Sequence, residues 1–387
     1  MGEAPAPLRV RKCYRRRPNF LIAAAIWHDV SILLLTKCSI AESGWIMGFK
    51  RAATVVLVAL AAAWSAGTAQ AQSRLPVKFI MDWAFEGAQS IWTLPEERGC
   101  FAKRGVDITI DRGFGSGDTV SKLAAGAYPI GVSDFNTVVQ FDAKNPDRRL
   151  IAIFMISDGS PLSVVTLKEN NITKPQDLVG KKIVDPVGEA SRVMFPAFAR
   201  ANNVDPASIE WVTVAPDLRQ PTLLHKQADA AAGHMFTVYN GLVQLGVKKE
   251  DIVVMRYADW GVDFYGNAIV TTKAWAAEHP DAAKAFAACA IEGIKASRAD
   301  PNAAIASLKK HNPLLREDIE LASLDFSNTI AIGTPNALKN GVSSVTHERL
   351  ERTVKQATAA LDLPAPPLDE LWTDKYLPPR SELMLAK

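Results

Sequence analysis

Residues 106–118 read Val106-Asp-Ile-Thr-Ile-Asp111-Arg-Gly113-Phe-Gly115-Ser116-Gly117-Asp118. Apolar and polar residues alternate across Val106–Asp111, the period of a half-buried strand. The glycine loop behind it leads into a helix reaching Ala125, so the stretch is one strand–loop–helix unit. The same grammar recurs on both sides. Val77–Trp83 reads as a strand and Gly87–Gly99 as a helix, while Ile130–Ser133 and Leu150–Phe154 read as short strands around a helix from Asp134. Alternation of this kind implies a parallel sheet covered by helices.

A second series begins near Ser163. Strands are expected at Val164–Lys168, Lys182–Asp185, Ile209–Val214, Asp229–Ala232 and Ile252–Arg256, with helices from Gly188-Glu189, Gln220 and Thr237. After the strand Asn267–Thr272 the pattern turns helical to the C-terminus, with Pro280, Pro301 and Pro313 near helix starts. The reading is an α/β protein of two lobes, the second inserted into the first and the late helices packed on lobe one. Lobe one is expected over residues 72–161 and 272–387, lobe two over 162–271, with the two crossings forming a hinge.

The N-terminal region sets the expected compartment. From Met47 the chain shows Lys50-Arg51, an apolar run Ala52–Ala63 and Ala69-Gln70-Ala71, the layout of a cleaved export leader. Residues 47–71 are read as a signal peptide cleaved after about Ala71, and residues 1–46 as an over-extended N-terminus. The protein is therefore expected to be periplasmic. The net charge of +3 belongs to the leader region. Nine of the 44 Lys/Arg and three of the 41 Asp/Glu fall in residues 1–71, so the remainder carries three more acids than bases. A slightly acidic body without a basic stripe is a poor binder of nucleic acid. Cys100 and Cys289, far apart in sequence, are read as separate buried small residues; an oxidising space would also allow a long-range disulfide.

Catalytic signatures are missing. Asp118 stands where the third glycine of a dinucleotide loop belongs, and its charge would repel a pyrophosphate. No phosphate-binding G-x-x-x-x-G-K-[ST] or G-x-S-x-G elbow occurs. His225, His234, His279, His311 and His347 show no metal-ligand spacing and read as surface or helix-cap residues. The expectation is a binding protein with no cofactor and no metal. Open α/β sheets bind ligands at the carboxyl ends of their strands. The candidates there are Asp82, Trp83, Phe85, Ser116, Gly117, Asp134 and Phe135 in lobe one, with Ser133 and Asn136 beside them. Lobe two offers Gly188, Glu189, Arg192, Tyr239, Trp260, Tyr265 and Asn267. The set Trp83, Phe135, Tyr239, Trp260 and Tyr265 hints at a flat aromatic ligand, since ring stacking adds about 0.5–1.5 kcal/mol per pair. Trp83 and the Tyr257–Asn267 loop are expected to form opposite walls of the cleft.

Several stretches in this order resemble a known family: Lys78-Phe-Ile-Met-Asp82-Trp83, Glu97-Arg-Gly99-Cys-Phe101, the glycine-serine loop, Leu178-Val-Gly180-Lys-Lys-Ile183, Gly188-Glu189 with Phe195-Pro-Ala-Phe198, and Tyr265-Gly-Asn267. Over residues 75–350 the chain resembles solute-binding proteins of ABC importers for nitrate, sulfonates and thiamine pyrimidine precursors. The resemblance implies a type II periplasmic-binding-protein fold closing on one small organic ligand, a monomer, and ABC permease and ATPase subunits in the inner membrane as partners. A sensor-associated binding module would look the same in sequence. Related pyrimidine synthases are enzymes that use a pyridoxal-bound lysine and a cysteine-rich run; that run is missing here.

Overall fold

Ten strands make two sheets of five in the computed structural model, which describes residues 73–385. The expected leader and the extended N-terminus lie outside those residues. In chain order the strands are β1 (Leu75–Ile80), β2 (Val106–Asp111), β3 (Ile130–Asp134), β4 (Ile151–Met155), β5 (Leu162–Leu167), β6 (Lys182–Asp185), β7 (Glu210–Thr213), β8 (Ala230–His234), β9 (Ile252–Arg256) and β10 (Asn267–Thr271). The first sheet runs β2-β1-β3-β10-β4 and the second β7-β6-β8-β5-β9. Three strands of each are parallel: β1 pairs in parallel with β2 and β3, and β6 with β7 and β8. β10 is antiparallel to β3 and β4, and β5 to β8 and β9. The two sheets are thus topological copies, with β6, β7 and β8 standing where β1, β2 and β3 stand.

The chain returns to lobe one earlier than expected. The sequence pattern assigns residues 267–271 to lobe two, yet β10 runs through the middle of the first sheet, Asn267 opposite Asp134 and Thr271 opposite Ile130. A strand with Ala268–Thr271 buried on both faces fits only inside a sheet. The expected helix Gly87–Gly99 is a turn at Gly87–Gln89 followed by helices Ser90–Glu97 and Cys100–Lys103. Gly99, at φ 70°, separates the latter two.

Lobe one buries Phe79 against Trp92 and Phe286, with ring centroids 4.7 and 5.2 Å apart. Phe286 lies on the 20-residue helix Pro280–Ala299, so the late helices complete the first lobe's core as expected. Cys100 and Cys289 are joined in a disulfide, both sulfurs buried, which corrects the reading of two separate thiols. Position within two helical patterns said nothing of the tertiary contact between the helices.

At the hinge the lobes share a core. Phe135 and Val138 of lobe one, Phe195 and Phe198 of lobe two and Leu350 of the helix His347–Ala359 belong to one buried cluster. Arg349 on that helix ties the two crossings together. It donates to Asp158 at 2.7 Å on the first crossing and to Asp263 at 3.0 Å on the second, and its guanidinium lies 4.2 Å from the Tyr265 ring centre.

Candidate functional site

Strand ends build the lobe-one wall. The chain leaves β1 through Met81, Asp82 and Trp83, and the glycine loop is held against it: Gly115 N–H donates to the Asp82 carbonyl at 2.8 Å, and Gly113 N–H to that of Trp83 at 2.9 Å. A Cβ on Gly113 would lie 2.1 Å from the Met81 carbonyl, so this approach needs glycine. The buried Asp82 carboxylate accepts from Asn267 Nδ2 at 2.7 Å. Asp134, at the end of β3, caps the next helix by accepting from the N–H groups of Asn136 and Thr137 at 2.9 and 3.2 Å. Its second oxygen has no partner among the described residues, nor have the side-chain oxygens of Asn136 and Asn267. Burial pushes the Asp134 carboxyl up to about 6 from an ordinary 3.8, although His234 across the cleft opposes the rise. Burial also raises Asp82, against the pull of the same histidine.

Lobe two supplies the opposing wall from equivalent places. Beyond β6, Glu189 caps the helix Ala190–Ala201 by accepting from Ser191 N–H at 3.2 Å. Arg219, in the connection after β7, is fully buried. Its Nη1 donates to the Ala232 carbonyl at 3.3 Å and to Asp185 at 3.4 Å, and lies 3.6 Å from Glu189. Its Nε and Nη2 have no partner among the described residues. A Cβ on Gly233 would come within 2.6 Å of Nη1, so the β8 backbone is shaped around this arginine. Asp185 is raised well above the carboxylate range, first by burial and then by neighbouring Glu189. His234, buried at the end of β8, sits where Asp134 sits in lobe one.

The lobes meet face to face. The Arg219 guanidinium lies over the Trp83 indole, 5.0 Å from the ring centre. Gly117 N–H donates to the Gly188 carbonyl at 2.8 Å, and the Thr237 hydroxyl donates to Glu86 at 2.8 Å. Glu86 in turn accepts from the Trp83 indole N–H at 2.9 Å. A cavity of about 360 Å³ opens beside these contacts, lined by Glu86, Gln220, Thr237, Asn240 and Glu320.

Of the sequence candidates, the structure gathers Asp82, Trp83, Gly117, Asp134, Gly188, Glu189 and Asn267 at this junction, with Ser116 behind them. The Ser116 hydroxyl accepts from the Asp134 N–H at 3.0 Å, so it orients Asp134. The others go elsewhere. Phe85 stacks on His311 at 4.9 Å, and Phe135 is core. Arg192 turns to Thr213 at 2.8 Å and lies over Trp211. Tyr239 meets Phe326 edge-on at 5.6 Å. Trp260 packs on the shared core, its carbonyl accepting from Asn202 at 3.0 Å. The Tyr265 ring is buried under Arg349, and only its carbonyl, accepting from Asn136 at 2.8 Å, supports the site. Among the five aromatic candidates only Trp83 reaches the junction, and Asn267 shares its wall instead of facing it. Opposite Trp83 stands Arg219. Sequence reasoning missed Arg219, Asp185 and Glu86; it read His234 as a surface or cap residue, and His234 does stand at the N-cap of the helix Met235–Gln244, but buried. For Arg219, Asp185 and His234 the signal was topological: each ends a strand or opens a helix in the second sheet at a place equivalent to the end of β1, β2 or β3.

Removing the indole takes away the surface on which Arg219 rests. Trp83→Ala is expected to weaken ligand binding at least tenfold, about 1.4 kcal/mol, with circular dichroism unchanged; titration calorimetry of the folded variant checks it.

A family model described as NMT1/THI5 like matches residues 92–304. The formylaminopyrimidine-binding protein of Halalkalibacterium halodurans is 24% identical over 261 residues, spanning 65% of this chain and 76% of the relative. A solved structure from Bordetella bronchiseptica RB50 superposes with a TM-score of 0.65 at 17% identity, covering 79% of this chain and 96% of the other. The alkanesulfonate-binding protein SsuA of Xanthomonas axonopodis pv. citri, bound to MOPS, gives 0.60 at 13% identity over 79% and 95% of the two chains. The periplasmic nitrate-binding protein NrtA of Synechocystis PCC 6803 gives 0.60 at 11% identity over 78% and 87%. These likenesses establish the two-lobed periplasmic-binding-protein fold. With more than half of its length inside the family model, the chain belongs to the NMT1/THI5-like family.

Proposed function

We propose that this protein is the solute-binding component of an ABC importer and captures a small, flat, N–H-bearing heterocycle between its lobes. One observation carries the reading: the buried lobe junction holds polar atoms that the protein leaves unpaired, acceptors on one wall and donors on the other. An unpaired buried polar group costs about 1–3 kcal/mol, so a ligand that pairs them gains from closure. Five carboxyls, those of Asp82, Glu86, Asp134, Asp185 and Glu189, stand there beside one guanidinium, Arg219, so acceptor oxygens predominate and favour a ligand rich in N–H donors. The formylaminopyrimidine-binding relative supports the same class. The disulfide supports folding in an oxidising compartment, hence a periplasmic protein with permease and ATPase partners.

Arg219 is the feature that favours a second reading, a nitrate or sulfonate carrier, and thermal shift separates the two. Formylaminopyrimidine at 100 times its dissociation constant should add about 2.7 kcal/mol of stability, while taurine and nitrate leave Tm unchanged. A shift with the anions alone would reverse the assignment.

Acidity gives an independent check. With Asp134 at about 6, its unpaired oxygen is an ionised acceptor at pH 7.5 and is protonated at pH 5. A ligand that donates to it should bind about tenfold more weakly at pH 5, since only the ionised minority is competent. An anion would bind more tightly as the carboxylates neutralise. The raised value also means that this group's contribution to stability is present below pH 3.8 and is lost as pH rises through about 6.

A further inference from the structure

Arg219 is built into the junction in a way its protein partners do not explain. A guanidinium carries five N–H donors on three nitrogens. Here only Nη1 is engaged, while Nε and Nη2 are buried and unpaired. An arginine serving only to neutralise Asp185 and Glu189 would turn its fork to them, as paired carboxylates usually receive two parallel bonds. Instead the guanidinium lies across the lobe boundary on the Trp83 indole. The Trp83 wall continues into Asp82 and Asn267, and Asn267 is the strand partner of Asp134. That wall offers unpaired oxygens, on Asp134, Asn136 and Asn267.

A ligand spanning this junction therefore needs N–H groups toward lobe one and an acceptor toward Arg219. The acceptor should be uncharged. Glu189 already lies 3.6 Å from the guanidinium, and an added anion would also meet Asp134, ionised at pH 7.5. We propose that Arg219 is the specificity-determining residue of the cleft, selecting a ligand whose carbonyl oxygen it binds through Nε and Nη2 while the lobe-one oxygens take the ligand's N–H groups. This assignment rests on the solute-binding reading above. Its substrate class is a neutral amino-heterocycle bearing a carbonyl, with formylated amines as the direct case. A site built to hydrogen-bond such a group rejects the analogue lacking it far more strongly than an apolar pocket rejects a missing methylene.

Titration calorimetry with two probes tests this: formylaminopyrimidine, and the same pyrimidine with the formyl group replaced by the free amine. The wild-type protein is expected to bind the formylated probe at least 30-fold more tightly. Arg219→Lys keeps a cation beside Asp185 and Glu189 but loses the planar fork. It should weaken the formylated probe at least tenfold more than it weakens the amine, so the preference collapses. If Arg219→Lys does not fold, the wild-type preference decides alone. Equal wild-type affinities, or an equal loss of both probes in folded Arg219→Lys, would overturn the role of Arg219 and leave the solute-binding reading standing. Binding of neither probe would overturn that reading, and this assignment with it.

Discussion

Cys289→Ser is expected to lower the unfolding free energy by about 2–5 kcal/mol. The bridge to Cys100 closes a segment of 189 residues, so losing it releases a large part of the chain in the denatured ensemble. It also joins the start of the short helix Cys100–Lys103 to the middle of Pro280–Ala299, two elements that pack on the first sheet's core. At about 2–4 °C per kcal/mol for a domain of this class, Tm should fall by roughly 10 °C. Reductant should reproduce the shift in the parent protein and not in the variant. A Tm unchanged by both treatments would mean the two sulfurs are not joined in solution. The loss concerns lobe one alone, so affinity for ligand in the folded fraction should change little.

Gly117→Val should have the opposite profile. A Cβ at this position would sit 2.8 Å from the Gly188 carbonyl oxygen and 3.1 Å from its Cα, all backbone of the other lobe. No atom of its own lobe is among these close neighbours, so each lobe should keep its fold. The valine acts as a wedge at the point where Gly117 N–H and the Gly188 carbonyl join the lobes. Binding that depends on closure should weaken more than 100-fold, about 2.7 kcal/mol, with Tm of the ligand-free protein within about 2 °C of the parent. Gly117→Ala should fall between the two. Unaltered affinity in Gly117→Val would show that the ligand is held without this contact.

The fold was largely legible because strand and helix periodicities alternate cleanly, and because parallel sheets place loop residues at one edge. That rule alone located Asp82, Asp134 and Glu189, whose charges make them conspicuous at strand ends. Aromatic residues near the same edge were misleading. A loop position does not say which way a ring points, and burial drew Phe135 and Tyr265 into the core while Tyr239 turned edge-on to Phe326. Arg219 was invisible for another reason. Its surroundings come from Asp185, Glu189, Ala232 and Trp83, distant in sequence, and its space depends on Gly233. The equivalence of the two sheets would have exposed it, but that equivalence lies in strand order and leaves no repeat in the amino acids. The early return at β10 escaped for a related reason. A buried run such as Asn267–Thr271 reads alike in either sheet, and only its pairing with β3 and β4 assigns it.

Native mass spectrometry of the protein purified without denaturation from its own host tests the central claim most directly. Solute-binding proteins that close over a buried ligand can retain it through purification, because closure slows its escape. One non-covalently bound, neutral nitrogen heterocycle per protein molecule is expected, released on mild activation and absent from Gly117→Val. A bound sulfonate or nitrate, or a mass increment that survives denaturation as a covalent adduct would, contradicts it.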